Sequence, residues 1–372
     1  MDFSLNEEQT IIRDTTKKFL QQECPPDLIR EMIADEKGHS PELWQKMAEL
    51  GWMGLPFDER YGGFGATFLD LAIILEEMGR ALVPGPFIAT VILAGMTIAD
   101  AAGEALKKRL LPGIADGTTI ITAALTERDG SYTSEAIEAM AEPTDDGWLI
   151  SGTKCFVPDA LVADAIICPA KGPAGECSLF LINTAEAGVK IIPLKTLSHQ
   201  KQAEVTLTGV AVPSDSLVGE AGDGWSAIRA LWPKAVTARS CEMLGAMGQV
   251  LEMSVRYSQE RRQFGQPLSG FQVIQHYLAD MAIELEAARV ITHQAAWSIS
   301  EALPSHKEAA VAKAWASDAL KHLAATAHQI HGGIGFTEEH DLYLYFRSSK
   351  AWELSFGDAN FHRAAVADEM GL

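Results

Sequence analysis

Thr119-Ile-Ile-Thr-Ala-Ala-Leu125 interrupts a chain that reads as helix on both sides of it. The stretch is short and β-branched, which favours a pleated, half-buried strand. Similar runs follow at close spacing. After the turn signal Asp145-Asp146-Gly147 comes Trp148-Leu-Ile-Ser-Gly-Thr-Lys-Cys-Phe156, with partial alternation. Then come Ala165-Ile-Ile-Cys168, Leu179-Phe-Leu-Ile182, Val189-Lys-Ile-Ile192 and Glu204-Val-Thr-Leu-Thr-Gly-Val-Ala-Val212, separated by Pro, Gly and Asp. This rhythm predicts a compact antiparallel β-barrel or sandwich over 119–222 rather than alternating βα units.

Outward from that segment the period changes. In residues 1–118, Ser4 and Glu7 have capping-box spacing, and Ile11 or Ile12, Thr15, Phe19 and Leu20 follow a helical period. Leu43, Met47 and Leu50 share a face, with Gly51 placed as a C-cap. Tyr61-Gly-Gly-Phe-Gly65 is a break. A long apolar helix runs from Phe68 to about Leu82, stopped by Pro84 and Pro86, and Leu93, Met96 and Ala99 mark a further helical stretch. Residues 223–372 return to helix over 235–258, 271–299 and 307–328. These are apolar on more than one side, as in a bundle or an oligomer interface. The expected architecture is therefore α+β and mostly helical: an N-terminal helical domain (1–118), a middle β domain (119–222) and a C-terminal four-helix bundle (223–372).

Composition narrows the function. The 372 residues suffice for roughly two or three folding units. Fifty acidic against 30 basic side chains give a formal net charge of −20, which repels phosphate backbones and argues against a nucleic-acid partner. The five cysteines (24, 155, 168, 177 and 241) are scattered and lack zinc-ligand spacing, so reduced thiols in a cytoplasmic protein and no metal are expected. Early acids and no apolar leader give no sign of a signal peptide. No apolar run reaches the about 18 residues of a spanning segment, so no membrane association is expected.

Two motifs carry chemistry. Gln329-Ile-His-Gly-Gly-Ile-Gly-Phe336 ends a long helix with adjacent glycines, which serve equally as a helix stop or as backbone open to a flat or phosphorylated ligand. Arg261-Arg-Gln-Phe-Gly265 follows another helix, either as a solvated basic turn or as a diphosphate partner. With the three-segment order, these resemble the acyl-CoA dehydrogenase family across essentially the whole chain. Gly51-Trp-Met-Gly-Leu-Pro-Phe-Asp-Glu-Arg-Tyr-Gly-Gly63, Leu125-Thr-Glu127, Gly147-Trp-Leu-Ile-Ser-Gly-Thr-Lys154, and Arg239 with Gly245 and Gly248 add to the resemblance.

The resemblance implies FAD between the β domain and the C-terminal bundle. It implies that Arg261, Gln329, Gly332 and Gly333, with Gln263 and Phe264 beside them, reach the FAD tail from a neighbouring protomer. Leu125, Thr126, Phe156 and Pro158 would face the flavin, and Arg239, Phe356 and Gly357 the substrate. It further implies loss of a proton from Cα of an acyl-CoA and of a hydride from Cβ, with an electron-transfer flavoprotein or similar acceptor, in a tetramer. Pro84-Gly-Pro-Phe-Ile-Ala-Thr-Val91 resembles a branch that forms mixed tetramers on cyclic or steroid-derived acyl-CoAs.

The chain departs from the family where the chemistry is done. The usual base lies nine residues after an Arg that matches Arg347, and that position holds Phe356. The other known base position, just before Arg239, holds Ala238. Glu242 is the expected substitute, since it is one helical turn past Ala238, roughly 6 Å further on nearly the same face. Its alternative role is an ion pair with Arg239. Asp358 is the second candidate, with a helix N-cap as its plainer role. Pro158 stands where the family usually has a Thr near flavin N5, and it has neither N–H nor hydroxyl. Three functions follow as alternatives: an acyl-CoA dehydrogenase, a half-site partner subunit of a heteromer, or a FAD enzyme of altered reaction such as elimination without net oxidation.

Overall fold

The computed structural model describes residues 5–198 and 200–372. The cap expected at Ser4 lies outside the described residues. The first helix, α1 (Glu7–Glu23), is instead boxed by Asn6, whose Oδ1 accepts the Gln9 N–H at 2.8 Å. It leads to α2 (Pro26–Ala34), α3 (Pro41–Glu49) and α4 (Phe68–Ala81). Leu43 and Met47 are buried on α3, but Leu50 falls just past its end and is exposed. Thr67 and Asp70 box the start of α4, and Leu82 closes it in a left-handed conformation. The next stretch, Ile88–Gly95, is a fully buried π-helix running directly into α5 (Met96–Ala101). Periodicity gives helix there but not its wide turn, a rare form that is frequent at functional sites. The domain closes with α6 (Glu104–Ala115).

The middle segment forms one seven-stranded sheet. Its strands are β1 (Ile121–Ala123), β2 (Met140–Pro143), β3 (Gly147–Pro158), β4 (Ala165–Lys171), β5 (Cys177–Asn183), β6 (Val189–Leu194) and β7 (Gln202–Pro213). The order is β1-β4-β2-β3-β7-β6, with β5 on β4. The sheet departs from the all-antiparallel expectation at β4, which pairs in parallel with β2 at Met140 and Lys171 and with β1. There β1 runs parallel to β4, pairing Ile121 with Ala165, because β1 enters from the helical domain and not through a hairpin. The ladder of β3 on β7 slips twice, between Ile150 and Gly152 and between Lys154 and Val157. The second slip is a bulge that turns Phe156 outward at φ 55°.

The C-terminal segment is α7 (Gly224–Glu260), α8 (Gln272–Ser300), α9 (His306–His331), α10 (Leu342–Leu354) and α11 (Ala359–Glu369). The bundle expected at four helices carries a fifth, α11, packed on α9. A small hairpin, β8 (Arg262–Gln263) and β9 (Gln266–Pro267), follows α7. The domains are joined where α4 crosses α7 at backbone contact. A Cβ at Gly79 would lie 1.9 Å from the Glu242 carbonyl oxygen, and one at Gly245 would lie 1.7 Å from that of Glu76. Only glycine permits that approach, which sets Glu242 directly beneath α4. No helix among the described residues is long and apolar enough to cross a membrane.

Candidate active site

A cavity of about 830 Å³ lies between the sheet, α4 with the π-helix, α7, and the turn after α10. Its apolar side comes from Met78, Val83, Phe87, Ile88 and Leu93.

Arg239 and Glu242 enter it from α7. They form the i, i+3 ion pair that spacing allows, and both are buried. Burial raises the Glu242 pKa above the usual carboxylate range, and the Arg239 charge opposes that rise. The Arg239 guanidinium carbon lies 5.6 Å from the Trp352 ring centre and 5.8 Å from that of Phe356. Such cation–π contact holds a desolvated guanidinium in place.

The turn carrying Phe356 is pinned from several sides. Phe356 sits at φ 58°, a strained conformation for a bulky side chain. Its N–H donates to the Tyr132 hydroxyl at 3.2 Å, and its carbonyl accepts from His362 Nε2 at 2.8 Å. Lys313, fully buried on α9, donates to the carbonyls of Glu353 (3.1 Å) and Gly357 (2.9 Å) and to Ser317 Oγ. Burial, helped by Arg239, lowers Lys313 to about 7. Burial likewise lowers His362 to about 4, so the imidazole is a neutral donor. Gly357 is part of this clamp and is not among the cavity-lining residues. Asp358 is not among them either: it caps α11 by accepting the Phe361 N–H at 2.8 Å. Arg347 is spent on the Leu197 carbonyl and the Tyr343 hydroxyl.

On the sheet side the cavity is walled by Leu125, Thr126, Phe156 and Pro158. The Thr126 hydroxyl donates to the Cys155 carbonyl at 2.7 Å. Glu127 lies behind it as a structural tie, accepting from Lys154 Nζ (2.6 Å) and from the Glu138 and Ala139 N–H groups. Asp159, which sequence reasoning passed over, also lines the cavity. Its only signal was an acid following Pro158 inside an apolar stretch.

The two remaining motifs meet on another face. Tyr257, one turn before Arg261, stacks on His331 at 4.4 Å, and its hydroxyl donates to the His331 carbonyl at 3.3 Å. That contact brings the Arg261-Gln263-Phe264 hairpin beside the end of α9 with Gln329, Gly332 and Gly333. All six residues are exposed, and none lines the cavity of its own chain. A Cβ at Gly332 or Gly333 would meet nothing within 4 Å, so this backbone is open to close approach. His328 and His331 are buried in the last turns of α9, with Nδ1 bonded to the carbonyl four residues back.

The cavity therefore has room for a flavin ring beside Leu125, Phe156 and Pro158, and the open glycines suit a dinucleotide tail. At Pro158 the wall offers no hydrogen-bond donor. Among the described residues no cluster of metal-ligating side chains occurs.

Comparison with known proteins matches this layout. Sequence models of the acyl-CoA dehydrogenase N-terminal, middle and C-terminal domains match residues 6–118, 122–210 and 222–371. A probable acyl-CoA dehydrogenase of Bacillus subtilis, YngJ, is 32% identical over the full length of both chains. Butyryl-CoA dehydrogenase from Megasphaera elsdenii superposes with a TM-score of 0.93 at 27% identity, covering 100% of both chains. A chain of the ChsE4–ChsE5 complex from Mycobacterium tuberculosis superposes at 0.92 with 27% identity, covering 100% of this chain and 99% of that one.

Proposed function

The chain belongs to the acyl-CoA dehydrogenase family of FAD-dependent oxidoreductases, and from that premise we propose that it introduces an α,β double bond into an acyl-CoA whose acyl group is cyclic, steroid-derived or otherwise unusual. The observation that carries this reading is the buried Arg239–Glu242 pair in a cavity walled on one side by Phe156 and Pro158 and on the other by the π-helix. FAD, when bound against the sheet wall, supplies the acceptor for the hydride from Cβ. Glu242 accepts the Cα proton, and its burial makes it a stronger base than a surface carboxylate. Arg239 holds that carboxylate in one orientation. Phe87, Ile88 and Leu93 seat the acyl group and exclude water, while Phe356 fills the space a glutamate takes in the family.

Arg261 and Gln329 of a second copy or of a sister chain would hold the FAD tail across a subunit boundary, because neither residue reaches its own cavity. The partner that would reoxidise the loaded enzyme is an electron-transfer flavoprotein or a similar acceptor. Phe356, Ala238 and Pro158 favour a second reading, in which this chain is the half-site partner of a sister subunit, as the heteromeric name of the ChsE4–ChsE5 relative suggests.

The test is anaerobic titration of the purified chain with butyryl-CoA, cyclohexanecarbonyl-CoA and a steroid-side-chain acyl-CoA. The visible flavin band is expected to bleach with one of them in the single-chain preparation. Bleaching only after a sister chain is added would select the half-site reading, and no bleaching in either case would end both.

A further inference from the structure

Among the described residues, Tyr132 alone lines both the Glu242 cavity and a second, neighbouring hollow of about 390 Å³. Its ring belongs to the second hollow. It packs on Trp232 with ring centres 4.8 Å apart and on Phe361 at 6.2 Å, and both of those rings line that hollow. Its hydroxyl belongs to the first. It accepts the Phe356 N–H at 3.2 Å, and Phe356 lines the Glu242 cavity and not the hollow. The side chain therefore reaches through the partition and ends in the cavity where Arg239 and Glu242 stand.

A phenol oxygen that accepts one hydrogen bond still has its own O–H to give. Among the described residues the Tyr132 O–H meets no acceptor. Several other donors on the cavity wall are committed: Thr126 to the Cys155 carbonyl, Lys201 to the Ile33 carbonyl and Lys350 to the Glu353 carboxylate. Accepting the amide polarises the phenol and strengthens the bond it can donate. Burial raises the Tyr132 pKa, against the opposing effects of the Phe356 N–H and the Arg239 charge, so the group keeps its proton at neutral pH. Arg239 links this hydroxyl to the carboxylate. Its guanidinium pairs with Glu242 and lies 5.8 Å from the ring centre of Phe356, the residue that holds the hydroxyl. Hydroxyl and carboxylate are thus neighbours through Arg239 and Phe356, in one cavity.

Taking a proton from Cα of a thioester moves an electron pair onto the adjacent carbonyl oxygen. A donor already aimed at that oxygen stabilises the charge as it develops. We propose that the Tyr132 hydroxyl is a catalytic donor, bonding the thioester oxygen while Glu242 takes the Cα proton. The phenol keeps its proton throughout and only shares it, and the Phe356 N–H acts on the oxygen through the phenol. The inference rests on the acyl-CoA reading above and adds a residue to its machinery.

Tyr132→Phe in the FAD-loaded protein tests it, because the ring and its packing on Trp232 are kept. One readout is the rate of anaerobic flavin bleaching by cyclohexanecarbonyl-CoA. The other is the infrared carbonyl band of bound cyclohex-1-enecarbonyl-CoA, isotope-labelled at the thioester carbonyl. In the wild type that band is expected below its position in water, and in the variant it should move back up. Bleaching should slow about 10²-fold, the lower end of what one such donor contributes, with ligand affinity little changed. A tyrosine that merely latched the Phe356 turn would slow bleaching and leave the band in place, and that result overturns the proposal. So does an unchanged rate, or a wild-type band at its position in water. A downshifted band that survives in the variant assigns the bond to another donor, such as the unpartnered Arg239 Nε, and overturns it too. If the wild type binds neither thioester, the acyl-CoA reading itself fails, and the two failures are thereby told apart.

Discussion

Replacing Glu242 with glutamine is expected to lower kcat by about 10²–10⁴-fold, the span that a positioned proton acceptor contributes. The amide is nearly isosteric and keeps an oxygen toward Arg239, so α7 and the cavity wall stay in place. It cannot accept the Cα proton. Loss confined to kcat, with ligand affinity and flavin content held, marks a group acting on the reaction itself. Stability should fall as well, because Arg239 would be left as a buried cation with a neutral partner. Steady-state turnover beside a thermal melt separates the two effects. Full turnover in Glu242→Gln would remove this residue as the base.

Gly245→Ala is expected to be the most damaging single-methyl change in the chain, costing about 3 kcal/mol or more. The added carbon would sit 1.7 Å from the Glu76 carbonyl oxygen and 2.5 Å from the Arg80 nitrogen, all backbone, so no side chain can yield. α4 and α7 would have to separate, and Glu242 would move with them. Gly248, one turn further, is the control. A Cβ there meets the end of the flexible Arg80 side chain at 2.8 Å, so Gly248→Ala should cost far less. Denaturant melts of the two variants decide the matter. Equal stability would mean that the crossing is not the joint between the domains.

These expectations show which parts of the molecule could be read from residues. The three-part architecture was legible because hydrophobic period is a local property: Phe68–Ala81 repeats every 3.6 residues, while Trp148–Phe156 does not. Local signals stop at pairing. The parallel match of β1 with β4, 44 residues on, is a choice of partner that no short stretch encodes. The π-turn over Ile88–Gly95 depends on what packs around it, so its sequence reads as any apolar helix. In the cavity, Arg239 and Glu242 were visible because three residues along a helix fix a shared face. Asp159 was not, because its environment comes from Arg239 and Glu242, some 80 residues away in the chain. The roles of Lys313 and Tyr132 in holding the Phe356 turn were hidden for the same reason.

The central claim is that the flavin site is completed across a subunit boundary. Native mass spectrometry of the wild type and of an Arg261→Ala, Gln329→Ala double variant tests it most directly, because mass reports chain number and bound FAD together. The wild type is expected as an oligomer carrying FAD, and the variant as the same oligomer with its FAD lost. A wild-type monomer that holds FAD, or a variant that keeps its full complement, would contradict the account.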